Sequence, residues 1–196
     1  MRRLGKIIVV TAAAVALGAC SPNNEEPSDL PPGTDPTPSQ QASAPASTSP
    51  SSSQAQGPAC KAEDIEVSGG FGEDPEITIP DDCAPPKELI SEDLVTGDGP
   101  EATEGSTVEV NYKLKSWSDG EVKDSSFERG ETFPLENLGQ ARVIDGWNQG
   151  LIGITEGSRR LLVVPPDLGY GERGNQGIAP NETLVFVVDA VKVTPA

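Results

Sequence analysis

The sequence predicts an α+β fold, an antiparallel β-sheet of four to six strands wrapped around one short helix, in the C-terminal part of a 196-residue chain. Two observations predict it. Alternating and β-branched runs recur between residues 107 and 193, and helical periodicity surfaces only once, in a stretch too short to stand alone.

Val108, Val110, Tyr112 and Leu114 alternate with Thr107, Glu109, Asn111 and Lys113, the pattern of a strand with one buried face. Ser118-Asp119-Gly120 reads as a turn into a second strand over residues 121–125, which completes a hairpin. Residues 160–164 form a β-rich run stopped by Pro165-Pro166. Residues 184–193 form a long β-branched run with Leu184, Phe186, Val188 and Ala190 on one face, and Ile77 with Ile79 marks a further short strand. The helix candidate is 142–151, where Val143, Ile144, Trp147 and Leu151 share a face. It contains Gly146 and Gly150, so it needs the sheet to be stable.

The N-terminal third has a different character. Arg2, Arg3 and Lys6 precede an apolar stretch over residues 7–17, too short to span a bilayer, so residues 1–19 read as an export signal. It ends in Leu17-Gly18-Ala19-Cys20, which resembles a bacterial lipobox, with Cys20 as the lipidated residue; an ordinary secretory signal with an incidental Cys is the alternative. Residues 21–59 hold nine Pro and nine Ser with no aromatic. Such a segment cannot bury enough apolar surface to offset its ordering entropy, so residues 20–59 read as a lipidated Cys and a disordered linker. The linker serves as a tether with a reach of roughly 35 Å as a coil, or has no spacing role.

The chain carries a formal charge of -17, and losing residues 1–19 removes three cations and no acid. With no basic patch, nucleic acid is not an expected partner, and membrane attachment rests on the lipid anchor, at the outer face of the cytoplasmic membrane. Cys60 and Cys83 remain as an even pair in an exported chain, which makes a disulfide within an N-terminal extension, residues 60–85, their expected use. The zero His count removes hydrolase triads and most zinc enzymes from consideration, and no metal or cofactor is expected.

Eight residues are aromatic. Five of them fall in ordered punctuation: Val110-Asn111-Tyr112, Asp119-Gly120, Asp124-Ser125-Ser126, residues 129–133, Val143-Ile144-Asp145-Gly146-Trp147, Tyr170-Gly171, and Ile178 through Thr183-Leu184-Val185-Phe186. In this order and spacing, residues 86–196 resemble an FKBP-type peptidyl-prolyl cis/trans isomerase, here as a bacterial lipoprotein of Gram-positive, actinobacterial-like type. The resemblance implies Trp147 as the floor under a substrate proline, with Phe133, Val143, Ile144, Ile178 and Phe186 as walls beside Tyr112. It implies Tyr170 as a hydroxyl donor to a substrate carbonyl and the Ile144 N–H as another. It implies Asp124 at the rim, bonded to Tyr112 and paired with Arg129. Core filling is the competing role for Trp147 on periodicity alone.

What the resemblance implies in function is isomerisation of X-Pro bonds in exported or cell-envelope polypeptides by a monomer, with macrolide ligands of the family as further partners. Three departures stand out. Lys123 replaces the aromatic usual before Asp-Ser-Ser, Ala179-Pro180 replaces Pro-Pro, and Ser116-Trp117-Ser118 lengthens the hairpin by one residue. Lys123 keeps a second reading open, a peptide-binding holdase with weak or no isomerase activity, and a surface lipoprotein with a vestigial pocket is the third.

Overall fold

A computed structural model describes residues 57–196; the export signal, Cys20 and nearly all of the linker lie outside the described residues. In chain order the elements are β1 (Glu66–Ser68), β2 (Glu76–Thr78), β3 (Ile90–Val95), β4 (Thr107–Ser116), β5 (Val122–Ser125), α1 (Ser126–Arg129), β6 (Phe133–Leu135), α2 (Asp145–Gly150), β7 (Arg159–Val164) and β8 (Leu184–Thr194). The main sheet runs β3-β7-β8-β4-β5, with β6 paired to the other half of the β4 edge, and every pairing in it is antiparallel. β1 and β2 form a separate two-stranded ribbon.

The alternation in β4 and β8 sets two cores. On one face Val108, Val110, Tyr112 and Leu114 of β4 meet Leu184, Phe186, Val188 and Ala190 of β8 under Trp147 and Leu151. On the other face Leu161, Val163, Val185 and Val187 are covered by Ile65 and Ile77 of the N-terminal extension. That explains why residues 161–164 and 184–188 are continuously apolar: these central strands are buried on both faces.

The extension is fastened by charge as well as by apolar contact. Arg159 and Asp189 face each other in the β7–β8 register, 1% and 0% exposed, with Nε–Oδ1 at 2.6 Å and Nη2–Oδ2 at 2.8 Å. Arg159 also donates to the carbonyls of Gly69 and Glu73, and Asp189 accepts from the Gly72 N–H. Lys113 and Lys115, on the same face, donate to the carbonyls of Pro75 and Ile77. Cys60 and Cys83 are joined in a disulfide, with Cα atoms 5.2 Å apart.

Several expectations shift. The helix is Asp145–Gly150 rather than 142–151, because the Asn148 side chain bonds both the N–H and the C=O of Ala141, residues 141–143 bend, and Ile144 is extended. A second helical turn, α1, was not expected. Ser125 caps its start by accepting from the Glu128 N–H, and Gly130 ends it at φ 68°. The strand expected from Ile77 and Ile79 spans Glu76–Thr78, and β1, β3 and β6 are additional.

Candidate active site

A cavity of about 600 Å³ opens on the α2 face of the sheet. Strand alternation sends Tyr112 and Leu114 of β4 and Phe186 of β8 into it, β5 brings Asp124 to its rim, and β6 supplies Phe133. Gly146 lets α2 lie directly on β7: a Cβ there would sit 2.4 Å from a Val164 methyl. That close seat places Trp147, 3% exposed, at the cavity floor. The bend ahead of α2 and the extended Ile144 bring Val143 and Ile144 into the wall, and the Ile144 N–H donates to none of the described backbone carbonyls. Pro165-Pro166 ends β7 and leads through a 3₁₀ turn at Pro166–Leu168 to Tyr170, a half-buried side chain in the lining.

The rings form an edge-to-face box. Trp147 lies 5.2 Å from Tyr112, 6.0 Å from Phe133 and 5.4 Å from Phe186, with interplanar angles of 85°, 83° and 75°. Such contacts favour a rigid floor, since each ring edge meets a ring face. The Trp147 Nε1–H is buried with no hydrogen-bond partner among the described residues, so packing alone orients the indole.

One polar network closes the rim. The Tyr112 hydroxyl donates to Asp124 Oδ2 at 2.5 Å and accepts from Arg129 Nη2 at 2.9 Å, while Arg129 Nη1 pairs with Asp124 Oδ1. Burial raises the Tyr112 pKa, the bond to Asp124 adds to the rise, and Arg129 only partly offsets it. Desolvation pushes Asp124 upward, but the bonds from Tyr112 and Arg129 outweigh it and hold the carboxyl below its ordinary range. The result is a neutral phenol and a fixed carboxylate across the neutral pH range.

A profile of FKBP-type peptidyl-prolyl cis-trans isomerases matches residues 99–191. An FK506-binding protein of Streptomyces anulatus is 46% identical over 123 residues, covering 62% of this chain and 98% of that relative. The chain belongs to the FKBP-type isomerase family. A probable FK506-binding protein of Corynebacterium glutamicum is 40% identical over 121 residues, 61% of this chain and 98% of its own. The crystal structure of FkpA from Escherichia coli matches with a TM-score of 0.50 at 42% identity, covering 55% of this chain and 49% of that one.

Against the FKBP expectation, the structure gathers Tyr112, Asp124, Phe133, Val143, Ile144, Trp147, Tyr170 and Phe186 around one cavity. Arg129 stands behind Asp124 rather than in the lining. Ile178 does not line the cavity, contrary to its expected role as a wall. The Asn175 and Ile178 backbones bond reciprocally, and the tight turn presents Asn175 to the cavity while Ile178 packs in the core cluster. Leu114, Arg142, Asp145, Gly169 and Asn175 are lining residues that the sequence reading missed. Leu114 was available from the alternation two residues past Tyr112; Asn175 sits in a loop with no periodicity to place it.

Lys123 is not a wall either. Its ammonium turns back to the hairpin, 2.6 Å from Asp119 and 3.0 Å from Glu121, and its side chain is half-buried there. The site therefore lacks an aromatic on the β5 side without gaining the Lys123 ammonium inside.

Proposed function

We propose that this isomerase rotates X-Pro bonds in exported or cell-envelope polypeptides from a lipid anchor at Cys20, on the outer face of the cytoplasmic membrane, and so assists their folding. The observation that carries the reading of the site is the closed aromatic box with Trp147 as floor and no titrating imidazole in reach. The apolar segment 7–17, the lipobox-like end and the Pro/Ser-rich linker support the location.

The barrier to X-Pro rotation, about 18–20 kcal/mol, reflects amide resonance that must be broken at the twisted geometry. No bond is made or cleaved, so the chain needs no nucleophile. A proline ring seated on Trp147 places its preceding carbonyl against apolar walls, where loss of water disfavours the charge-separated planar amide more than the twisted one. The Tyr170 hydroxyl and the Ile144 N–H are positioned to hold neighbouring substrate carbonyls, binding the twisted form better than the planar. Asp124 keeps the Tyr112 ring in place through its hydroxyl, and Arg129 fixes Asp124.

The test is cis-to-trans relaxation of an X-Pro peptide, by NMR exchange, with the full exported chain. Wild type should accelerate relaxation, and Tyr170→Phe should lower kcat/KM by about tenfold if one transition-state hydrogen bond is lost. A folded wild-type protein with an uncatalysed rate would refute the reading and favour the holdase.

A further inference from the structure

Two features stand outside the active cavity: Trp117, one of the chain's two tryptophans, which packs at the edge of the second core, and the extension of residues 60–85. They meet. Ile79, Pro80 and Pro85 of the extension, Trp117 at the end of the hairpin, and Ala179 and Pro180 of the loop before β8 enclose a second cavity of about 620 Å³. Its charged lining consists of Asp81, Asp119 and Glu182, with no Lys or Arg. Glu182 is 6% exposed, and its two oxygens accept from the Ser118 N–H at 2.9 Å and the Ser118 hydroxyl at 2.6 Å. That buried carboxylate has no ion-pair partner among the described residues, whereas Asp119 is already engaged by Lys123. Asp81 is exposed at the mouth.

We propose that this cavity is a second client-binding site that takes a Lys or Arg side chain from the same polypeptide whose proline occupies the active cavity. An indole flanked by proline and isoleucine walls suits the alkyl stem of such a side chain, and the carboxylates suit its cationic head. Both cavities share their scaffolding. Leu114 and Asp124 line the first and Trp117 to Gly120 the second; Asn175 lines the first and residues 179–183 the second. From Leu114 to Trp117 is about 10 Å along the strand, the length of about three residues of an extended client. The chain's own linker is a poor occupant by charge: residues 21–56 hold Glu25, Glu26, Asp29 and Asp35 and no Lys or Arg.

The proposal rests on the isomerase reading, and the experiment separates the two. Kinetics and equilibrium binding are measured on the full exported chain with a short Leu-Pro-Phe core peptide, the core extended by Gly/Ser to a Lys four residues away on either side, and the same peptides with Gln for Lys. For at least one Lys peptide, wild type should show a KM and a Kd about fivefold below the Gln peptide, with kcat unchanged. Asp81→Asn and Trp117→Leu should bring that advantage below twofold while leaving turnover of the core at the wild-type value. Asp98→Asn, which removes an exposed carboxylate elsewhere, should keep the advantage. Equal values for Lys and Gln peptides in wild type, or an advantage that survives both Asp81→Asn and Trp117→Leu, would overturn the second site. So would an equal loss in Asp98→Asn, which would assign the effect to net charge. Absence of turnover on the core counts against the isomerase reading alone, because the binding measurement still decides the second site.

Discussion

Replacing Asp189 by Asn probes how the extension is held to the catalytic domain. The substitution keeps the side-chain shape and removes the only carboxylate bonded to Arg159 among the described residues; Arg159 is 1% exposed. Arg159 then keeps two carbonyl partners, Gly69 and Glu73, and one neutral amide oxygen at position 189, with no negative charge beside a full positive charge in a desolvated site. Breaking a buried pair in this way costs about 3–5 kcal/mol, a large share of the roughly 5–15 kcal/mol that holds a domain of this size. With a urea slope of about 2 kcal/mol/M, the midpoint should fall by about 2 M. Arg159→Met combined with Asp189→Leu removes both charges and should recover most of that loss, because it leaves no unpaired ion. Urea unfolding followed by fluorescence gives the midpoints, and limited proteolysis reports on the loop around residues 69–74, where the Gly72 N–H donates to Asp189. Isomerase activity without denaturant should stay within about twofold of wild type, since Asp189 lies on the sheet face opposite the cavity. A midpoint shift below about 0.5 M would refute the argument that this pair is both buried and necessary.

The remaining predictions concern the site and its staple. Asp124 is held low, so its contribution to rim stability is complete above the unfolded carboxylate pKa of about 3.9 and disappears as pH falls through the lower folded value. Tyr112 is held high, so its contribution is complete below about 10 and disappears as pH rises through the raised folded value. With no His in the chain, kcat/KM should be flat between about pH 5 and 9, and a bell centred near 7 in a pH–rate profile would contradict the site assignment. Lys123→Phe should raise kcat/KM by about threefold by restoring an aromatic beside Asp124, and an unchanged value in the same assay would show that this edge does not touch substrate. Reducing Cys60–Cys83 should lower stability by on the order of 3 kcal/mol in chemical denaturation, and an unchanged midpoint would argue against the chain-entropy estimate.

The legible parts of the fold were those where period and burial agree. Val108 to Leu114 alternated in the sequence because one face of β4 packs under Trp147, while its other face carries Glu109, Asn111 and Lys113. β8 was legible as a strand but not as a strand buried twice, because the partner for Val185 and Val187 lies more than 100 residues earlier, at Ile65 and Ile77. β3 carries Ser91, Glu92 and Asp93 on an exposed edge, so no apolar pattern announced it. At the site, residues borne on strands and at the start of α2 could be placed by spacing and resemblance. Ile178 could not, since its direction depends on a two-residue backbone exchange with Asn175 that leaves no periodic trace.

That division also bears on how one small sheet serves a catalytic pocket and an added segment. On β4, Tyr112 and Leu114 face the cavity while Lys113 and Lys115, their immediate neighbours, reach the carbonyls of Pro75 and Ile77. On β8, Phe186 faces the cavity while Val187 and Asp189 face the extension. A strand's period of two thus keeps the two sets of contacts on opposite sides of one backbone. Side-chain changes on the extension face can then alter stability without entering the pocket, whereas a one-residue slip of β4 would exchange the sets and lose both. The ten-residue register between β4 and β8, shifted only between Glu109 and Val110, places its one irregularity away from Tyr112 and Leu114. The pocket is therefore built on the regular half of the longest pairing in the sheet, where alternation is most strictly enforced.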